Sequence, residues 1–221
     1  MATLIVTGVG TDIGKTYVTA SIIRAVRARG HPVSAFKPVL SGFDYEQPAQ
    51  SDAGVLLEAL GKPVTAETVE AIAPFRYAAP MSPPLAAARE GKSLSFAEVA
   101  GACRERMADS GRALLLIEGA GGVMSPLSDG ATVLDLIEAL AVPVLLVTGA
   151  YLGAISHTLT AVEVLRRRGV AIRAVVVNES AELGCSMDEM HESLRVLAGG
   201  VPVVSVARGG EVPEELLRLL F

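Results

Sequence analysis

The stretch Thr7-Gly8-Val9-Gly10-Thr11-Asp12-Ile13-Gly14-Lys15-Thr16 follows the apolar run Leu4-Ile5-Val6 and precedes a helical pattern that begins near Tyr17. Strand, glycine-rich turn, Lys-Thr and helix, in that order, suit a polyphosphate cradle. Small residues let backbone N–H groups crowd an anion, Lys15 can reach β- and γ-phosphates, and the Thr16 hydroxyl can ligate Mg²⁺. The following helix adds its positive end. The spacing departs from the common phosphate loop: Val9 stands where the first glycine belongs, and Gly8 is one residue early. The chemistry expected is binding of a nucleoside triphosphate and reaction at its terminal phosphate.

Further candidates stand where other apolar runs end. Lys37 follows Val33–Phe36, and Pro38 holds it extended. Its ammonium could hold a reacting anion or a γ-phosphoryl oxygen. A strand-end lysine can also snorkel to solvent; a phosphate loop one strand away favours the first reading. Glu118 closes Ala113–Ile117 and precedes Gly119-Ala120-Gly121-Gly122. Nucleotide-bound Mg²⁺ takes one or two carboxylates, a hydroxyl, phosphate oxygens and water, so Glu118 and Asp52 are metal candidates. Asp52 also sits at a helix start, which it or Ser51 could cap. Thr11 could bond a reacting oxygen or fix the turn. Ser41, Ser82 and Ser156 lie near turns, where turn chemistry suffices to explain them. Asn178 could read a base edge or serve a strand-end turn. His157 reads as structural. There is no Ser/His/Asp nucleophile set and no Cys/His metal cluster.

The elements that must position these residues alternate. Strands are expected at Leu4–Val6, Val33–Phe36, Ala113–Ile117, Val144–Val147, Ile172–Val177 and Val201–Val206. Helices are expected at about 15–29, 52–60, 94–109, 133–140, 154–168, 187–197 and 214–220. Unalternating apolar strands between helices point to an α/β fold, a doubly wound, mainly parallel sheet with helices on both faces. Ligands of such sheets sit at the carboxyl ends of the strands, where the candidates gather. The Pro-, Ala-, Ser- and Gly-rich region from Gly42 to Pro84 reads as excursions over the site within one domain, 1–221.

Composition narrows the function. Of 221 residues, 51% are hydrophobic, Trp is absent, and the net charge of −5 comes with no long basic run. That argues against nucleic acid as a partner, and Arg166-Arg167-Arg168 reads as a solvated helix end. The apolar stretch from Ala139 to Ile155 contains Pro143, Gly149 and Gly153 and falls short of a membrane span. Two separated cysteines, Cys103 and Cys185, and no leader suggest a cytoplasmic protein with reduced thiols.

Thr7-Gly8-x-Gly-Thr-Asp-x-Gly14-Lys15-Thr16, Lys37-Pro38-Val39-x-Ser41-Gly42 and Glu118-Gly119-Ala120-Gly121-Gly122, in that order, resemble the dethiobiotin synthetase family. So do Ser51-Asp52-Ala53, Ser82-Pro83, Pro126-Leu127-Ser128-Asp129 and Leu152-Gly153-x-Ile155-x-His157. The stride from Gly8 to Gly14 is that family's loop variant. The resemblance implies a P-loop NTPase-type fold and ATP- and Mg²⁺-dependent ring closure on 7,8-diaminopelargonate with CO₂. It places Thr11, Lys15 and Lys37 at the reacting groups and Thr16, Asp52 and Glu118 on the metal. Asp12, Ile13, Gly14, Lys15, Thr16, Tyr17, Gly119, Ala120, Gly121, Asn178 and Glu179 would line the nucleotide site together with the metal ligands. Lys37, Ser41, Ser82, Pro83, Gly153 and Ser156 would bind substrate. It also implies a homodimer, with the substrate's carboxylate tail held across the interface. The chain departs from the family at Ser156, where Asn is usual, near Met190, where a tail-binding Tyr is common, and at Arg208, where Pro is expected. Rival readings are an amidating cobyrinate-type synthetase, which usually carries a glutaminase domain, and a MinD/ParA-like switch, whose signature lysine is Gly10 here.

Overall fold

Strands that are apolar at every position need cover on both faces, and the molecule supplies it. The computed structural model describes residues 2–180 and 184–221. Its strands are β1 (Thr3–Gly8), β2 (Val33–Phe36), β3 (Val39–Ser41), β4 (Phe75–Tyr77), β5 (Leu114–Glu118), β6 (Pro126–Ser128), β7 (Ala131–Thr132), β8 (Val144–Gly149), β9 (Ile172–Asn178) and β10 (Val203–Val206). Its helices are α1 (Lys15–Ala28), α2 (Asp52–Ala59), α3 (Ala66–Ile72), α4 (Pro83–Arg89), α5 (Phe96–Asp109), α6 (Val133–Leu140), α7 (Ala154–Arg167), α8 (Met187–Leu197) and α9 (Glu214–Arg218). Six strands form one parallel sheet in the order β10-β9-β8-β1-β5-β2. Leu4, Val6, Leu116 and Val147 pack with Ile22, Ile23, Leu56 and Leu216 on one face. Ile5, Ile117 and Leu146 pack with Val99, Leu134, Leu165 and Leu194 on the other. This is the expected doubly wound α/β architecture.

The winding fixes where a ligand can sit. From β1 the chain moves out to β2, returns to β5 beside β1, and then passes to β8 on the other flank. The reversal happens around β1, so the crevice opens at its carboxyl end, where the phosphate loop begins.

Helix starts divide into two kinds. Capping boxes close α5 (Ser95 with Glu98) and α8 (Ser186 with Glu189). The Ser95 box also explains why α5 begins at Phe96, later than its apolar pattern suggests. In contrast, α1 and α7 start after Gly14 and Gly153, both left-handed (φ 88° and 94°), with no side chain capping them. Their first-turn N–H groups stay free to meet an anion.

Several short elements were not foreseen. The region from Gly42 to Pro84 is more ordered than simple excursions: besides the expected α2 it holds α3 and β4, which pairs in parallel with β3. A β6–β7 hairpin follows β5. The last strand begins at Val203, two residues later than expected. Arg166, Arg167 and Arg168 do end a helix, in contact with Gly199 and Ala198 carbonyls, Glu163 and Glu138. Among the described residues no helix is long and apolar enough to cross a membrane.

At α2 the capping question resolves in favour of Ser51. Its Oγ accepts the Gly54 N–H at 3.2 Å and donates to the Pro48 carbonyl at 2.6 Å. Ser51→Ala is expected to lower stability by about 0.5–2 kcal/mol. Asp52→Ala should leave the cap intact, so hydrogen exchange at the Gly54 amide should quicken in Ser51→Ala and stay unchanged in Asp52→Ala.

Candidate active site

Lys37 leaves the main sheet at the tip of β2. Its N–H donates to the Ile72 carbonyl at 2.7 Å, and the chain then crosses through Pro38 into β3. That crossing buries the side chain to 4% exposure. A buried ammonium needs partners, and it has two: Glu118 Oε1 at 2.8 Å and Asp52 Oδ2 at 2.7 Å. Glu118 comes from the tip of β5, the neighbour of β2, and is fully buried. The Thr16 hydroxyl donates to the same Glu118 Oε1 at 2.6 Å. The tips of β2 and β5 and the starts of α1 and α2 thus meet in one ionic cluster.

Lys15 stands beside it. Its Nζ donates to the Gly10 carbonyl at 2.9 Å, closing the phosphate loop on itself. Burial, and then the charge of Lys37, lower its pKa to about 8. Lys37 behaves oppositely: burial alone would push its pKa down, but Glu118 and Asp52 outweigh that and raise it well above the usual lysine value. Asp52, half-exposed, would be raised by burial, yet the Lys37 ammonium and the Thr16 hydroxyl hold it below the usual carboxylate range.

The phosphate loop is the wall between two cavities. One, of about 730 Å³, is lined by Thr11, Lys15, Thr16, Lys37, Ser41, Asp52, Ser82, Pro83, Ala120 and Gly121 among others. The second, of about 910 Å³, is lined by Ile13, Tyr17, Tyr151, His157, Asn178, Glu179 and Arg208. Thr11, Asp12 and Gly14 face both. Gly119 packs behind, against Val133. Asn178 donates from Nδ2 to the Ile13 carbonyl at 3.1 Å, and its buried Oδ1 has no partner among the described residues. Gly153 and Ser156 are exposed at the start of α7 and line neither cavity. Met190 is fully buried in the core and presents nothing to a ligand.

The oxygen set suits a hard divalent cation. Thr16, Asp52 and Glu118 converge, and Glu118 Oε2 is buried with no partner among the described residues. Two carboxylates and a hydroxyl fit Mg²⁺ chemistry.

Sequence reasoning passed over two features. Ser125 Oγ accepts the Gly122 N–H at 2.7 Å and faces the first cavity; a serine three residues after a glycine in a turn was the available signal. His157, read as structural, lies against the second cavity with Nδ1 2.9 Å from the Tyr151 hydroxyl. Nothing in its spacing marked that contact.

Comparison with known proteins gives a consistent picture. The family described as "AAA domain" matches residues 2–215. The chain is 51% identical over 219 residues to "ATP-dependent dethiobiotin synthetase BioD" of Methylobacterium nodulans, covering 97% of each. It is 50% identical to the protein of the same name from Phenylobacterium zucineum, covering 95% of this chain and 90% of that one. Among solved structures it resembles the MinC:MinD cell division protein complex of Aquifex aeolicus (TM-score 0.55, 13% identity, 100% of this chain and 85% of that one). It also resembles chloroplast FtsY of Physcomitrella patens (TM-score 0.52, 15% identity, 100% and 65%). These structural likenesses show the fold.

Two outcomes follow from the ion cluster. Lys37→Gln leaves Glu118 buried without its cation and should cost about 3–5 kcal/mol of unfolding free energy. Adding Glu118→Gln should recover part of that loss in a denaturation series. For Lys15, an anionic ligand favours the ammonium, so binding above pH 8 must take up protons and weaken as pH rises further. Calorimetry with ATP at pH 8.5, in buffers of different ionisation heat, should show uptake of about half a proton or more per nucleotide. Lys15→Met should abolish the uptake; none in the wild type would refute the lowered value.

Proposed function

This chain belongs to the dethiobiotin synthetase family of ATP-dependent ligases, which serve biotin biosynthesis, and from that premise we propose how its residues close the ring. The substrate is 7,8-diaminopelargonate, a diamine with a carboxylate tail, and the co-substrates are ATP and CO₂. One amine adds to CO₂ and loses a proton, giving a carbamate. A carbamate oxygen attacks the γ-phosphorus and ADP leaves, giving a carbamic-phosphoric anhydride. The second amine attacks the carbamate carbon, phosphate leaves with the C–O bond electrons, and the cyclic urea closes.

Both the carbamate and the triphosphate are anions, and their meeting is the electrostatic problem. The observation that carries the proposal is the arrival of two ammonium groups at one cavity, Lys15 from the start of α1 after β1 and Lys37 from the tip of β2, with β5 between those two strands. Lys15 takes the phosphates. Lys37, held charged, takes the carbamate and the developing charge on the transferred phosphoryl group. Thr11, exposed at the lip between the cavities, bonds the carbamate. Ser41 Oγ, buried without a partner among the described residues, is available to the substrate with Ser82 and Pro83 beside it. No covalent bond to the protein is needed; positioning and charge suffice.

Thr16, Asp52 and Glu118 would hold Mg²⁺, which would supply positive charge to offset that of the triphosphate. Asp12 to Tyr17, Gly119 to Gly121, Asn178 and Glu179 make the nucleotide site, with the base in the second cavity. In a homodimer, the start of α7 in the other copy receives the substrate's tail. Its uncapped N–H groups after Gly153 suit a carboxylate, and Ser156 replaces the usual Asn as a donor.

Phosphate release should require ATP, Mg²⁺, bicarbonate and 7,8-diaminopelargonate together. Release without the diamine would argue for a different reaction. Lys37→Gln, assayed where it remains folded, should retain ATP binding and lose at least about a hundredfold in turnover. Glu118→Ala should raise the Mg²⁺ concentration needed for half-maximal rate, and an unchanged titration would remove Glu118 from the metal site.

A further inference from the structure

The segment after β10 sets Arg208 against the second cavity, yet it is short and exposed from Ala207 to Gly210. Something must hold it in place. Two side chains do so, and both come from elements that carry the phosphate loop or its neighbour. The Tyr17 hydroxyl accepts the Gly209 N–H at 2.6 Å and lies 3.2 Å from the Ala207 carbonyl, to which it donates. A phenol can make one bond of each kind, and this one uses both on a single loop. The Glu179 carboxylate accepts the Arg208 N–H at 2.8 Å, while the Glu179 N–H donates to the Val206 carbonyl at 3.1 Å.

Tyr17 is the residue directly after Thr16, in the first turn of α1. Its strut therefore ties the loop opposite the base to the helix whose N-terminus faces the phosphates. We propose that Tyr17 is a positioning residue that sets the distance between the two ends of the nucleotide site. This rests on the reading that the base occupies the second cavity. Without the strut, the segment from Ala207 to Gly210 loses two of its three side-chain hydrogen bonds and samples other positions, because exposed short loops with few contacts open at little cost. Nucleotide binding then requires ordering that loop again, and the loss falls on the base end alone.

Tyr17→Phe removes the hydroxyl and keeps the ring. Three measurements on the full chain test it. Hydrogen exchange at the Gly209 amide, without ligand, should quicken by about tenfold. Affinity for ATP by calorimetry should fall about three- to tenfold. Affinity for inorganic tripolyphosphate, which has no base, should stay within about twofold. Unchanged exchange at Gly209, or equal weakening of ATP and tripolyphosphate, would overturn the proposal; the second result would make Tyr17 a support of the phosphate loop only. If wild-type protein binds ATP no more tightly than tripolyphosphate, the base does not use the second cavity, and that reading fails independently of the exchange result.

Discussion

An ammonium cannot be buried at the tip of a strand without charges to meet it, and that constraint organises this molecule. Lys37 is nearly inaccessible and touches Glu118 and Asp52 at hydrogen-bond distance. Satisfying it requires β5 to end on an acid beside β2, and α2 to begin with an acid that is released from capping. The same Glu118 oxygen then accepts from Thr16, so the cluster is locked to the phosphate loop. Lys15 lines the same cavity, and burial first, then the charge of Lys37, disfavour its charged form. The site is thus held under electrostatic load before any ligand arrives. An incoming polyphosphate relieves it by supplying the negative charge that Lys15 lacks.

The sheet order makes this arrangement possible. With β1 between β5 and β8, the loop after β1 has neighbours on both flanks. One flank carries the acids and Lys37; the other carries Asn178 and Glu179 at the end of β9. The loop becomes a partition between two cavities of different chemistry, one ionic and one bounded by Tyr17, Tyr151 and Asn178.

Much of this was legible in the sequence, for identifiable reasons. Val33–Phe36, Val133–Leu140 and Met187–Leu197 match their expected bounds. Their apolar periodicity is strong and their ends carry turn or capping residues. The β3–β4 pair, the β6–β7 hairpin and α3 escaped notice because two- or three-residue strands and a seven-residue helix leave too little periodicity to read. Lys37 and Glu118 were readable as chemistry because a charged residue closing an apolar strand is out of place there. Asp52 was ambiguous, since Ser51 and Asp52 are both good caps, and only the geometry divides the roles between them. His157 was not readable at all: its partner Tyr151 lies six residues away across a turn whose shape no local pattern encodes.

The two glycine-started helices follow the same physical logic from opposite sides of the sheet centre. A helix usually spends a Ser, Thr, Asp or Asn side chain on its first free N–H groups, as α5 and α8 do here. Leaving α1 and α7 with glycine in its place lowers the stability of the free protein, by about a few tenths of a kcal/mol for each cap forgone. An anion supplied from outside can meet those N–H groups. At α1 the lysine and threonine beside the bare helix end make the anion a polyphosphate. At α7 no cation stands in the first turn and the residues around it are exposed. A single carboxylate is the weaker anion that such a site can hold without additional charge. The two helix ends are therefore bare in the same way and differ in the charge beside them, a lysine and a threonine at α1 and no cation at α7.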